Sequence, residues 1–292
     1  MRYGWIKEHQ NDYPIAVMCQ VLDVSDSGYY DWHNRKASPR QQRHDKISQA
    51  AAQFYFESNR IYGYRKVHED LVEDGIACCD RTVHRVMAEM GLYSRVKRKF
   101  VVTTDSKHHE PVAENILDRD FASSRPNEKW VTDITYISTQ EGWLYLAAVM
   151  DLFSRRIVGW SMSERIDTAL VESALAMAVR QRRPEIGLLH HSDRGVQYAS
   201  CNYQQKLLDL GIVCSMSRKG DCWDNAAMES FFGSLKMEWV YGKTYTTQEI
   251  AKQDLFKYIE VFYNRKRRHA SLGYVSPAAF EKRYEAAQDQ VA

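Results

Sequence analysis

Three carboxylates stand where residue statistics alone would not put them. Asp133 interrupts the β-branched and aromatic run Trp130 to Ile137, in which aspartate is depleted and an unpaired buried carboxylate is costly. Asp193 follows directly on the short run Leu188 to His191, at the carboxyl end of a strand, where open α/β sheets place their ligands. Glu229 lies in the first turns of a helical stretch from Ala226 to Tyr241. With the first and fourth strands as neighbours and the helix packed across them, the three meet at one point. Converging carboxylates suit hard divalent cations, because Mg²⁺ takes oxygen ligands and completes its shell with water and phosphate oxygens. Two such ions ~3.5 to 4 Å apart activate an attacking hydroxyl and stabilise the leaving oxygen at phosphorus, so the chemistry implied is phosphoryl transfer. Lys236, seven residues after Glu229, falls two helical turns further along the same face, where its ammonium can meet a phosphate. Spacing alone does not single out this trio among 38 acidic residues. An aspartate after a strand is most often a turn or cap residue, and a helical glutamate is ordinarily surface.

The elements that must position these residues are legible in the hydrophobic pattern. Trp130 to Ile137, Trp143 to Met150 and Arg156 to Met162 are separated by short turns and predict a three-stranded meander. Asp167 caps a helix to about Arg182. Leu188 to His191 is a short strand, Ser200 to Leu210 a helix closed by Gly211, Ile212 to Met216 a strand, and Ala226 to Tyr241 a long helix. The order βββαβαβα is a mixed sheet flanked by helices, an α/β layered fold. Upstream the pattern is all-α. Pro14 to His33 reads as two short helices around a turn at Asp23 and Val24, with Ser25 or Ser27 as a cap, and residues 34 to 46 read as a basic connector into a helix from about Asp45 to Glu57. Arg65 to Glu73 and a helix capped by Asp80, with the stripe Val83, Val86, Met87 and Met90, form a clearer helix-turn-helix-like pair. Arg81, Thr82, His84 and Arg85 stay off that stripe, so Arg81 and Arg85 are candidates for DNA contact; the competing view is a helical hairpin with an ordinary solvated face.

Composition bounds the possibilities. With 292 residues, one large or two smaller domains are expected. Apolar residues make up 44% and charged residues 27%, with 14 Gly and 6 Pro, which excludes a disordered or collagen-like chain. The longest apolar runs, such as Leu144 to Met150, fall short of the ~20 residues of a spanning helix, and no export signal opens the chain. No membrane partner and a cytoplasmic location are therefore expected. Six scattered cysteines without a C-x-x-C pair argue against a disulfide framework and against structural zinc. The net charge of +2 says little about partners. Local basic clusters say more, because phosphate contact depends on where Lys and Arg gather: Arg95, Lys97, Arg98 and Lys99, then Arg218 and Lys219 before the glutamate helix, then Arg265 to His269. Trp223, Asp224 and Asn225 read as core and helix capping rather than a base-stacking platform.

Three blocks carry a more specific signal. Lys129 to Tyr136 (KWVTDITY), His191 to Tyr198 (HSDRGVQY) and Ser217 to Phe232 (SRKGDCWDNAAMESFF) closely resemble the catalytic blocks of bacterial insertion-sequence transposases with a retroviral-integrase-like core, specifically the insertion-sequence-three family. Between Asp193 and Glu229 lie 35 residues, the spacing that gives the D,D-35-E class its name. Tyr263-Asn264, Arg268-His269, Leu272 and Pro277 resemble the closing segment of that family, and Gly63-Tyr64-Arg65 with the helix pair to Gly91 resembles its helix-turn-helix-like module. The resemblance covers nearly the whole chain.

That resemblance implies a ribonuclease-H-like integrase core in which Asp133, Asp193 and Glu229 hold two Mg²⁺ or Mn²⁺ ions. It implies cleavage that frees a 3′-hydroxyl at the element end, then strand transfer by that hydroxyl, with no covalent protein–DNA intermediate. The implied route is copy-out through a circular intermediate, and Lys236 matches the family's basic residue that is expected to contact the end. The implied partners are transposon-end and target DNA, a homo-oligomer on DNA, and an upstream-frame product or fusion, since the chain has no sustained leucine-heptad run and resembles the downstream product alone. The expected organisation is a helical region over 1–60, a helix-turn-helix-like module over 61–94, a basic and polar linker over 95–125, the catalytic core over 126–242 and a helical segment over 243–292. Two other functions fit the same pattern: a structure-selective nuclease on this fold, and a catalytically inactive DNA-binding repressor of the element. The intact carboxylate trio argues against the second.

Overall fold

The computed structural model describes residues 1–94, 113–218 and 222–290. The chain divides into two compact units, Met1–Tyr93 and Ser94–Ala292.

The first unit is helical. It opens with α1 (Arg2–Glu8), an element the hydrophobic pattern does not announce, followed by α2 (Ile15–Val21) and α3 (Asp26–Asn34). Asp23, in the turn between α2 and α3, has a φ of 51°, and Ser25 caps α3 by accepting from the Gly28 amide at 3.3 Å. Ile6, Met18, Cys19 and Tyr29 close a small core among these helices. Next, α4 (Pro39–Glu57) begins well before the Asp45 start expected from periodicity. The reason is local: Ser38 accepts from the Gln41 amide at 3.2 Å, and Pro39 sits at the first helical position, where its missing N–H costs nothing. Arg40, Arg43 and Lys46 of the expected connector are thus helical, while Arg35 and Lys36 lie in the loop before α4.

The pair α5 (Tyr64–Glu73) and α6 (Asp80–Glu89) packs with α4. Val67, Leu71, Val83, Val86 and Met87 are buried. Gly75, at a φ of +77°, makes the left-handed turn out of α5 that a side chain would strain. Met90, expected at the end of the apolar stripe, lies at the rim and is exposed. Asp80 is the first residue of α6 rather than its cap, the preceding position being Cys79.

The second unit is built on β1 (Lys129–Thr139), β2 (Gly142–Asp151), β3 (Ile157–Ser163), β4 (Leu189–Ser192) and β5 (Val213–Met216). Their order across the sheet is β3-β2-β1-β4-β5. The first three pair antiparallel as a meander, while β4 joins β1 and β5 joins β4 in parallel. One face carries α7 (Thr168–Arg182), α8 (Val196–Ala199) and α9 (Cys201–Asp209), whose apolar residues pack with Trp130, Val149 and Val158. Asp167 caps α7 by accepting from the Leu170 amide at 3.0 Å. Close approach of α7 to β3 requires Gly159, because a Cβ there would run into the Ala174 carbonyl and Ala178. This is the mixed, helix-flanked sheet that the βββαβαβα order predicts.

Beyond the sheet come α10 (Ala226–Leu235), α11 (Gln248–Phe256) and α12 (Pro277–Asp289). The single helix expected over Ala226 to Tyr241 is α-helical only to Leu235; Lys236–Val240 is a wider π turn, and Lys257–Tyr263 after α11 is another. Side-chain ties bind the closing segment to the sheet. Asn264 exchanges two hydrogen bonds, each 3.0 Å, with the backbone of Ile157 at the start of edge strand β3. Buried Glu281 of α12 accepts from Arg182 of α7 (2.7 Å), Arg156 (2.6 Å) and Ser154 (2.7 Å). Burial pushes the Glu281 carboxyl up, but Arg182 and Arg156 outweigh it and hold it below its ordinary value. The same Arg182 reaches fully buried Asp151 at 3.1 Å. Cys19, Cys78, Cys79, Cys201 and Cys214 are free thiols. Among the described residues, no helix is long and apolar enough to cross a membrane.

Candidate active site

Strands β1 and β4 pair in parallel over three positions, ending with Val131 opposite His191. Asp133 and Asp193 each lie two residues past that last pair. Residues of equal offset on adjacent parallel strands project to the same side ~4.8 Å apart while pairing lasts, so Asp193, just past the end of β4, follows toward the side of Asp133, which stays within β1 opposite Ala148. Asp133 accepts from the amide of Ile134 at 2.8 Å, and Asp193 from the amide of Gly195 at 2.9 Å. A Cβ at Gly195 would press to 3.0 Å from the Asp193 carboxylate, so the small residue leaves room for that bond.

Glu229 arrives on α10, which packs across β1. It is half-buried in the first turn. The start of α10 is tied to β1 by Asn225, whose amide donates to the Thr132 carbonyl at 3.1 Å. The expectation that Asn225 caps its own helix is not met: its side chain makes no cap hydrogen bond and reaches to the strand instead.

Electrostatics join the three. Burial raises Asp133 well above the ordinary carboxylate range, the charge of Asp193 adds to this, the Ile134 amide opposes it, and Glu229 raises it further. Glu229 is raised by burial. Lys236 is lowered by burial and pulled back by Tyr136 and Asp133; its ammonium sits 4.7 Å from the centre of the Tyr136 ring. The carboxylates share one electrostatic environment without closing into a single ligand shell: among the described residues, no three His, Cys, Asp or Glu side chains are close enough to hold an ion together as they stand. The donor set still fits a divalent cation. All three donors are hard oxygens, and their mutual repulsion is what a cation would neutralise.

The histidines before Asp193 and the tyrosine beneath the aspartates are held uncharged by burial. His191 is buried between the hydroxyls of Ser215 (2.8 Å) and Ser217 (3.1 Å), and burial lowers it to about 4. His190 meets the Tyr203 hydroxyl at 2.8 Å and burial lowers it to about 3. The Tyr198 hydroxyl is buried 3.2 Å from Thr132 Oγ1, and burial together with the charge of Asp133 pushes it well above the usual phenol range.

The sequence matches models of known families along most of its length. Integrase core domain models match residues 123–222 and 229–284, and an HTH-like domain model matches residues 42–100. The transposase InsF for insertion sequence IS3A of Escherichia coli (strain K12) is 42% identical over 285 residues, covering 97% of this chain and 99% of that protein. The chain belongs to the insertion-sequence-three transposase family. Another relative, the insertion element IS600 uncharacterized 31 kDa protein of Shigella sonnei, is 44% identical over 267 residues, covering 91% of this chain and 98% of that protein. Among solved structures, the simian T-cell lymphotropic virus intasome in complex with PP2A regulatory subunit B56 gamma matches 79% of this chain and 74% of that chain, with a TM-score of 0.47 and 14% identity. The protein is a DNA transposase, a polynucleotidyl transferase with a ribonuclease-H-like integrase core and an HTH-like region.

Within this transposase the basic residues singled out from sequence meet different surroundings. Arg81 and Arg85 are exposed on α6, Arg85 being 3.8 Å from Glu89 one turn on. Lys236 stands beside Asp133, as above. Arg218 is committed to protein: it binds fully buried Asp224 through its backbone amide (2.8 Å) and guanidinium (2.8 Å), and Asp118 at 3.2 Å. Arg218 thus supplies charge to a buried carboxylate while its side chain stays 46% exposed. Lys219 and the basic stretch Arg95 to Lys99 lie outside the described residues, as do residues 95–112 of the expected linker. In the tail cluster, half-buried Arg267 pairs with Glu238 (2.7 Å) and Arg268 donates to the Tyr274 carbonyl (2.8 Å), while Arg265 and Lys266 are exposed. Sequence reasoning read Asp224 as core or capping and placed Asn264 in the closing segment without a task for either; it missed Asn115, Arg119, Glu238 and Glu281, which serve other side chains. Glu238 and Glu281 are marked in the sequence only as acidic residues within helical stretches, and Asn115 and Arg119 lie in an irregular segment with no periodic signal.

Proposed function

We propose that Asp133, Asp193 and Glu229 are the catalytic carboxylates with which this transposase cuts 3′ ends and transfers the freed strand. The observation that carries this is the placement of Asp133 and Asp193 at equal offsets past the last β1–β4 pair, with the charge of Glu229 felt at Asp133. A pair of Mg²⁺ or Mn²⁺ ions held by these residues would supply activation of the attacking hydroxyl and stabilisation of the leaving oxygen. The chain's own contribution is to hold acceptor oxygens ready: the Ile134 and Gly195 amides orient the two aspartates, and α10 brings the third carboxylate by side-chain rotation. Lys236, fixed over Tyr136, offers an ammonium to the phosphate next to the scissile bond. Tyr198, whose hydroxyl feels both aspartates, is unsuited to act as a nucleophile, because deep burial pushes its hydroxyl well above the usual phenol range and suppresses the phenolate.

In this proposal Arg81 and Arg85 of α6 contact DNA, with Arg81 free to face a groove. Lys219, next to Arg218, is a further candidate for the end, whereas Arg218 acts through Asp224. Synapsis of two ends by a homo-oligomer, and an upstream-frame product as partner or fusion, belong to the same proposal. The test is joining of precut oligonucleotide ends in Mg²⁺ or Mn²⁺. Wild type should join and Asp133→Asn, Asp193→Asn and Glu229→Gln should not, while each still retards end DNA. Joining by any of the three variants rejects the assignment, and cutting without joining by wild type points to a nuclease.

A further inference from the structure

We propose that Asp224 and Asn225 are positioning residues for Glu229, which hold the first turn of α10 in register with Asp133 through a clamp anchored upstream of the sheet. The inference rests on the carboxylate assignment above and deepens it.

Asp224 is fully buried, five residues before Glu229. Both its oxygens are taken: Asn115 donates at 2.9 Å, Arg119 at 2.9 Å, and Arg218 through its amide and its guanidinium, each at 2.8 Å. Burial pushes this carboxyl up, and the bonds from Arg218 and Arg119 overrule it, holding it well below the usual carboxylate range. The two cations reach Asp224 from the surface, their side chains 44% and 46% exposed, and with Asn115 they fix the turn before α10 in one arrangement. Asn225, with a φ of −122° and ψ of 28°, stands outside the helix and spends its amide on the carbonyl of Thr132, the residue before Asp133. One residue therefore ties α10 to the strand bearing the first carboxylate, and its neighbour ties α10 to the segment entering the core.

That entering segment has an independent mark of constraint. Asp118 and Arg119 have φ values of 40° and 63°, two successive left-handed residues that are not glycine, a conformation that persists only where the surroundings impose it. Asn115 holds the turn by accepting from the Asp118 amide at 3.0 Å, and Ser215 of β5 accepts from the amides of Ile116 (2.9 Å) and Leu117 (3.1 Å). The strained turn aims Arg119 at Asp224. Residues outside the sheet and its helices thus help set where Glu229 stands.

The test compares full-length Arg119→Gln, Asp224→Asn and Asn225→Ala with wild type on a precut oligonucleotide end. It follows kcat, KM for the end, and Mn²⁺ dependence, the last read both from joining rate and from the rise in melting temperature without DNA. A positioning role lowers kcat by ~10- to 100-fold, as for groups that orient metal ligands, leaves KM unchanged, and raises the half-saturating Mn²⁺ in both readouts. A merely structural role lowers rate in proportion to the folded fraction and leaves the half-saturating Mn²⁺ where it was. That result, or wild-type rates in Asn225→Ala and Asp224→Asn, overturns the proposal. Should Asp224→Asn fail to fold, Arg119→Gln and Asn225→Ala decide alone, since the Arg119 side chain is 44% exposed. Joining by Asp133→Asn would instead reject the carboxylate assignment; a dead Asp133→Asn beside clamp variants at full rate rejects the clamp alone.

Discussion

The two halves of the candidate site are held by different physics. Asp133 and Asp193 are placed by backbone: parallel pairing of β1 with β4 sets their offset, and one amide each sets their orientation. Glu229 is placed by side chains, through Asn225 to Thr132 and through Asp224 to Asn115, Arg119 and Arg218. Backbone pairing is insensitive to most substitutions, because every residue type but proline supplies the same donor and acceptor. A side-chain tie fails when one residue changes. The sheet half should therefore tolerate change around the aspartates, and the helix half should be the fragile one.

The largest effect expected is loss of a carboxylate itself. Asp133→Asn should reduce end joining by more than the ~10- to 100-fold that losing a supporting group costs, with end binding retained in a gel-shift assay; comparable residual joining would remove the distinction between the two halves. Next in size is the clasp that binds α12 to the sheet. Arg182→Met leaves Asp151 and Glu281 buried without their shared cation, which should cost about 3–5 kcal/mol of stability in denaturant unfolding. A change below 1 kcal/mol, by the range of surface pairs, would show that such side-chain ties matter less than the sheet.

A smaller effect follows from Asp133 in the metal-free protein. Its ionisation is raised above the ordinary 3.8 by burial and by Asp193. Between the unfolded and folded values the native state keeps a proton that the unfolded state has lost, so stability falls as pH rises across that window. Melting temperature without divalent cation should therefore drop as pH rises above about 4, and Asp133→Asn should flatten this slope and melt a few degrees higher near neutrality, at ~2–4 °C per kcal/mol for a unit of this size. Added Mn²⁺ should raise the wild-type melting temperature and leave the variant unmoved. An equal pH slope in both proteins would mean that repulsion is not concentrated at Asp133. Smallest is the contribution of the first unit. Arg81→Ala and Arg85→Ala should weaken binding to end and random DNA alike and reduce the salt slope by about 1 each. Arg85, already near Glu89, should show the lesser change, and an unaltered slope in both would move the DNA contact off α6.

Much of this protein was decided by local sequence. The meander, the cap at Asp167 and the helix pair around Gly75 follow from period and turn residues, because such signals act within a turn or a strand of their origin, and Asp133, Asp193 and Glu229 stand out as candidates through a few motifs. The start of α4 was equally local, in Ser38 and Pro39, but the helical period of the following residues is too weak to reveal it. Only the tertiary structure decided the fate of the charges. That Arg218 binds Asp224, that Arg267 pairs with Glu238, and that Asn225 holds β1 rather than capping its helix all depend on partners brought together by folding. Periodicity reports which face of an element is buried, whereas the partner of a buried polar group is set by whichever donor the packed chain brings within about 3 Å of it.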